Sequence, residues 1–128
     1  MTKKRILLID DEISLCQLMK LNLEQTEEYE VTTAHSGEEG LGKAQVSEFD
    51  LVITDYRMPG MDGAALLLTL KTLKPQQPVV LFSIYRNDKS KITPEIEEKA
   101  DGIISKPIDY NELLKVVKNA LARRRGGK

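Results

Sequence analysis

One cysteine, Cys16, and one histidine, His35, leave the chain without an internal disulfide or a cysteine-rich metal site, and neither has a companion at ligand or catalytic spacing. An excess of either charge is missing too. Nineteen basic side chains stand against twenty acidic ones, so the molecule as a whole shows no nucleic-acid or anionic-membrane footprint, and any such partner would have to use a local patch. No apolar run approaches the roughly 20 residues of a membrane span, and Met1 to Arg5 leads straight into a strand-like segment without a signal-peptide core. There is no internal repeat, low-complexity tract or interior linker. These absences point to a single cytosolic domain, for which 128 residues with 41% hydrophobic and 30% charged side chains are ordinary.

What is present is organised around Leu51 to Gly63, LVITDYRMPGMDG. The apolar run Leu51 to Thr54 delivers Asp55 to the end of a buried strand, and Pro59, Gly60 and Gly63 then break regular structure. In open α/β sheets ligands bind at the carboxyl ends of strands, which makes Asp55 a site candidate; a plain strand end or helix cap is the competing reading.

The rest of the chain repeats that pattern. Ile6 to Ile9 is a short apolar strand ending on Asp10, Asp11 and Glu12. Leu15, Leu18, Met19 and Leu23 then fall on one side of an amphipathic helix reaching about Thr26, with Asn22 the odd member of the stripe. Val31 to Ala34 predicts a second strand, and Ser36 with Glu39 a capping box that opens a helix through Ala44. Phe49 to Thr54 is the third strand. Ala64 to Leu73 predicts a helix with leucines on nearly every face, more than one sheet can cover. Val79 to Phe82 is a fourth strand ending on Ser83, followed by a polar stretch from Ile84 to Ile92 without clear period. Thr93 and Pro94 supply an N-cap and first residue for a short helix to about Lys99. Gly102 to Ser105 is a fifth strand ending on Lys106 and Pro107, and Asp109 with Glu112 caps a last helix carrying Leu113, Val116, Val117, Ala120 and Leu121. Five strands alternating with five helices predict a doubly wound parallel sheet, order 2-1-3-4-5, of the flavodoxin-like kind.

Asp10, Asp11, Asp55, Ser83 and Lys106 then converge on one edge. Three crowded carboxylates repel at about 4 kcal/mol per pair for charges 4 Å apart at an effective dielectric near 20, so they need a cation or take up protons. Oxygen ligands without imidazole or thiol suit Mg2+, which leaves positions for phosphate oxygens. A hydroxyl at Ser83 and an ammonium at Lys106 complete the parts for moving a phosphoryl group onto a carboxylate.

With these residues, and with the loop Met58-Pro59-Gly60-Met61-Asp62-Gly63, the chain resembles a receiver domain of the two-component response regulators over essentially its whole length. The resemblance implies that Asp10 and Asp11 are the acidic pair, Asp55 the phosphoacceptor, Ser83 the hydroxyl and Lys106-Pro107 the lysine-proline dipeptide, cis in the family. It implies a metal site of Asp10, Asp11, Asp55 and the backbone carbonyl of Arg57. It further implies Mg2+ as cofactor and a sensor histidine kinase or phosphotransfer protein as donor. A downstream effector or fused output domain, read by a shift of Ser83, would follow, with a homodimer as a further option. No membrane and no direct nucleic-acid partner are expected. On this reading residues 1–122 form the receiver and 123–128 a basic tail or the start of a linker. The domain is a phosphoacceptor that assists its own phosphorylation and dephosphorylation, not an enzyme.

The chain departs from the family at the readout. Ile103 stands where the aromatic switch residue is usual, three positions before the lysine, so coupling of the hydroxyl shift to ring rotation cannot operate as such. Ile84 is larger than the residue common after the hydroxyl, and Arg57 and Tyr85 border the site as candidates for tuning hydrolysis. Pro94 shortens the fourth helix, on a face family members often use for dimerisation or output. Three other readings stand beside this one. Gly37 to Lys43 has P-loop spacing, but Ala44 replaces the magnesium-binding hydroxyl and Glu38 and Glu39 would repel phosphates. A haloacid-dehalogenase-like phosphatase would need an aspartate where Arg57 stands. A receiver-like interaction module that is never phosphorylated is the third. Arg123 to Arg125 suit the dipole of a helix end as well as they suit nucleic acid.

Overall fold

The computed structural model describes residues 2–83 and 92–126, with side chains as far as Arg123. In chain order it contains β1 (Lys4–Ile9), α1 (Ile13–Glu24), β2 (Tyr29–Ala34), α2 (Gly37–Val46) and β3 (Leu51–Asp55). These are followed by α3 (Gly63–Leu73), β4 (Val79–Ser83), α4 (Pro94–Lys99), β5 (Gly102–Ser105) and α5 (Tyr110–Gly126). All strand pairs are parallel and the order is β2-β1-β3-β4-β5, the doubly wound sheet that the alternating pattern predicts.

Strands buried on both faces need apolar residues at every position, and side-chain alternation sends them to two separate cores. Ile6, Leu8, Leu51, Ile53, Val80 and Phe82 pack with Cys16, Met19 and Leu23 of α1 and Leu113, Val117 and Ala120 of α5. Leu7, Ile9, Val52, Val79 and Leu81 pack on the other face with Ala44 of α2, Leu66, Leu67 and Leu70 of α3, and Ile96 of α4.

Three local expectations are revised. The buried stripe of α1 runs through Cys16, Met19 and Leu23, while Leu18 is 56% exposed. The small Cys16 side chain lies against the sheet with its Sγ 3.8 Å from the Leu8 carbonyl, Leu15 packs half-buried against the same core, and only Leu18 of the expected stripe faces solvent. Phe49 lies outside β3, because the Asp50 carboxylate takes the Arg5 N–H at 2.8 Å and ends the ladder there. Of the surplus leucines of α3, Leu68 packs at the core margin and only Leu73 is exposed.

Helix starts follow the capping chemistry. Ser36 Oγ accepts the Glu39 N–H at 3.0 Å, but the return arm of the box is displaced by one residue, Glu39 Oε1 accepting from His35 N at 2.8 Å. Thr93 caps the six-residue α4 with Pro94 in its first turn, and Asp109 accepts from Asn111 and Glu112 at the start of α5.

Candidate functional site

Parallel strands end together, so the residues that follow their apolar runs meet at one edge. Ile9 pairs with Thr54, which places Asp10 beside Asp55. Asp10 is fully buried, Asp55 is 6% exposed, and Asp11 faces solvent. One carboxylate oxygen from each lies within 4.8 Å of the others. Asp10 Oδ1 accepts the Glu12 N–H at 3.0 Å, while its Oδ2 is buried without a hydrogen-bond partner. Burial drives the Asp10 carboxyl up to about 7, the Glu12 amide opposing it, the Asp55 charge adding to it and Lys106 partly offsetting it.

The opposite wall comes from β4 and β5. Lys106 Nζ is 3.1 Å from Asp55 Oδ2 and 5.2 Å from the centre of the Phe82 ring. The Lys106 N–H donates to the Ser83 carbonyl at 3.1 Å, and the Lys106–Pro107 peptide is cis. Asp55 pairs with Phe82, so the buried Ser83 stands one residue further along the neighbouring strand.

The loop after Asp55 folds back on it. Arg57 N lies 3.4 Å from Asp55 Oδ1, and the Gly63 N–H closes the loop onto the Tyr56 carbonyl at 2.9 Å. A Cβ at Gly63 would stand 2.2 Å from the Asp55 carbonyl oxygen, so only glycine lets α3 begin this close to the acceptor strand.

Among the described residues, three carboxylates, one with an orphaned buried oxygen, share the Lys106 ammonium. That donor set fits a hard divalent cation: the orphaned oxygen lacks a donor, the ligands are all oxygen, and a cation would offset both the burial that raises the Asp10 carboxyl and the Asp55 charge that adds to it. The same cleft presents a carboxylate nucleophile beside an ammonium group, an arrangement able to accept an electrophile carrying anionic oxygens.

The fold thus brings Asp10, Asp11, Asp55 and Lys106 together and sets Ser83 and the Arg57 backbone next to them. Ile103 lies mid-strand opposite Leu81, packs against the core beneath α3 and α4, and borders a cavity of about 280 Å3 with Gly102, Ala100 and Arg123. Ile84 and Tyr85, like Arg124 and Arg125 as side chains, lie outside the described residues. The segment with P-loop spacing is helix α2, and Lys43 is spent on the Thr33 carbonyl at 2.7 Å and on Glu39, so it cradles nothing. Arg123 reaches the Asp101 carbonyl at 3.2 Å in addition to ending a helix.

Three contributors escaped the sequence. The Glu12 N–H, the Phe82 ring under Lys106, and His35, whose Nδ1 lies 3.2 Å from the Asp10 carbonyl, all touch the site. An imidazole 25 positions from its contact leaves no spacing signal. The ring beneath Lys106 follows from strand register alone.

Comparison with known proteins agrees with this geometry. The model of the response regulator receiver domain family matches residues 6–118. The transcriptional regulatory protein YkoG of Bacillus subtilis is 34% identical over 94% of this chain and 52% of its own length. The alkaline phosphatase synthesis transcriptional regulatory protein PhoP of the same organism is 34% identical over 94% of this chain and 49% of its own. The chain therefore spans about half the length of these relatives. Among solved structures, a CheY-like receiver domain protein of Methanospirillum hungatei superposes with a TM-score of 0.86 at 29% identity, covering 99% of this chain and 100% of that one. The response regulator TrrA of Thermotoga maritima, solved in complex with Mg2+ and BeF, superposes with a TM-score of 0.79 at 36% identity over 91% of this chain and 98% of that one.

Proposed function

This chain belongs to the response regulator receiver domain family, and from that premise we propose that Asp55 accepts a phosphoryl group in a Mg2+-dependent reaction. The observation that carries the reading is the cluster around Asp55: among the described residues, two further carboxylates, one with an unpartnered buried oxygen, stand beside it with the Lys106 ammonium at 3.1 Å.

Asp55 is the nucleophile. Its carboxylate attacks phosphorus while the bond to the donor breaks, the donor being a phosphohistidine of a sensor kinase or phosphotransfer protein, and an acyl phosphate forms on Asp55. Asp10, Asp11, Asp55 and the backbone carbonyl of Arg57 hold Mg2+, and its charge, when bound, offsets that of the phosphoryl oxygens. Lys106 Nζ neutralises another oxygen, and the Ser83 hydroxyl hydrogen-bonds to the phosphoryl group and shifts toward it. Hydrolysis of the acyl phosphate ends the signal, so the domain assists its own phosphorylation and dephosphorylation as a phosphoacceptor and is not an enzyme acting on a separate substrate.

The receiver comprises residues 1–122, with 123–128 a basic tail or the start of a linker. Its partners are the phosphodonor protein and a downstream effector or fused output domain, with a second copy of the chain as a further option, and its compartment is the cytoplasm. Among the described residues no helix is long and apolar enough to cross a membrane, and this domain itself contacts neither membrane nor nucleic acid. The transcriptional regulators among its relatives support a fused output domain, and the Mg2+ complex of TrrA supports the metal.

Intact-mass spectrometry after incubation with a small acyl phosphate and Mg2+ tests the reading. One acid-stable, base-labile phosphoryl group is expected, absent from the Asp55→Asn variant and from a magnesium-free control. No adduct under any condition would leave a receiver-shaped binding module.

A further inference from the structure

The turn between β2 and α2 places no side chain among the carboxylates, yet it touches both halves of the site. On one side His35 Nδ1 lies 3.2 Å from the Asp10 carbonyl, and the His35 N–H is held by Glu39 Oε1 at 2.8 Å. On the other side Glu38 Oε2 accepts the Met61 N–H at 3.3 Å, inside the loop that leads from Asp55 to α3. The fit there is close. A Cβ at Gly37 would lie 2.3 Å from the Met61 carbonyl oxygen and 2.9 Å from Met61 Cβ.

At its ends the loop is tied by the Gly63 N–H on the Tyr56 carbonyl and by the Arg57 N–H against Asp55 Oδ1. Glu38 reaches the middle of the loop from the side, through the Met61 N–H, and Met61 also packs half-buried against the core. Resting on the reading that the Arg57 carbonyl belongs to the metal site, we infer that Glu38 is a positioning residue: through the Met61 N–H it sets where the loop holds Arg57. A carboxylate-to-amide bond is a directional tether even at this length, and supports of this indirect kind commonly alter metal affinity by about tenfold or more when removed. Glu38 is exposed, so its removal leaves the core intact.

The test compares wild type, Glu38→Ala and Glu38→Gln. With Mg2+ alone as titrant, the Ala variant needs about tenfold more metal for half-saturation while its melting temperature stays unchanged. The Gln variant, which keeps an acceptor for the Met61 N–H, stays within about twofold of wild type. In metal-free protein, amide exchange at Met61 quickens and the Arg57 amide resonance moves in the Ala variant only. An unmoved Arg57 resonance, a Gln variant as impaired as Ala, or a loss of affinity that tracks a falling melting temperature would overturn the inference. Failure of wild type to bind Mg2+ or take a phosphoryl group would instead refute the site reading, while the amide measurements still decide whether Glu38 positions the loop.

Discussion

Asp101, half-buried just before β5, and the buried Asp10–Asp55 pair are carboxylates at opposite ends of the sheet, treated in opposite ways. Asp101 Oδ2 takes Lys71 Nζ and the Val79 N–H, each at 2.8 Å, and Arg123 lies 3.8 Å from its other oxygen. It ties α3, the start of β4 and α5 together and has cations to spare. At the other end of the strands, among the described residues, three carboxylates share Lys106, and one buried oxygen of Asp10 has no donor. A carboxylate that serves the fold is neutralised by the chain's own groups. On the proposed reading the carboxylates around Asp55 are left short of positive charge, at a cost in stability that a bound cation would recover.

The largest test of this contrast is Asp55→Asn, which abolishes covalent phosphoryl uptake entirely by intact mass, with no loss of folding, because it removes a repelled charge. Asp101→Ala does the reverse. It leaves the Val79 N–H without its acceptor and Lys71 with the Gln77 carbonyl alone, so chemical denaturation should show a loss of about 2 kcal/mol while phosphoryl uptake per folded molecule is unchanged.

A pH series sharpens the same comparison. Asp10 is raised from an ordinary carboxylate value to about 7 in the folded protein, so the native state keeps a proton that the unfolded chain has already lost. Its contribution is therefore complete below about pH 4 and disappears as pH rises toward and through about 7. Without Mg2+, the denaturation midpoint should fall between pH 5 and pH 8 more in wild type than in Asp10→Asn, and that variant should be more stable than wild type at pH 8 by about 1 kcal/mol. Saturating Mg2+ should restore the wild type at pH 8 and leave Asp10→Asn nearly unmoved; equal slopes in the two proteins would remove the contrast. The smallest effect belongs to Arg123→Ala. Its exposed guanidinium is an outer partner of Asp101, and its loss should cost about 0.5 kcal/mol or less, because Lys71 remains.

Much of this was legible in one dimension. Runs such as Ile6 to Ile9 and Leu51 to Thr54, apolar at every position, identify strands covered on both faces, and each ends on a chemistry-bearing residue. Where the reading slipped, packing decided among equivalent local patterns. Leu18 and Cys16 are both apolar on one helix, and only the closeness of α1 to the Leu8 carbonyl puts the cysteine inward. Glu39 could have returned to Ser36, but the backbone delivered the His35 N–H instead.

By itself, the sequence determined the parallel α/β architecture and the gathering of Asp10, Asp11, Asp55, Ser83 and Lys106 at one edge, because side-chain period and strand direction are local properties that sum to a single topology. Tertiary structure alone decided which oxygen of Asp10 went without a donor, which aromatic ring lay under Lys106, and that His35 and Glu38 would reach the two sides of the site. Those contacts join residues far apart in the chain, and their distances depend on register and on how closely helices approach the sheet. No spacing in the sequence encodes that.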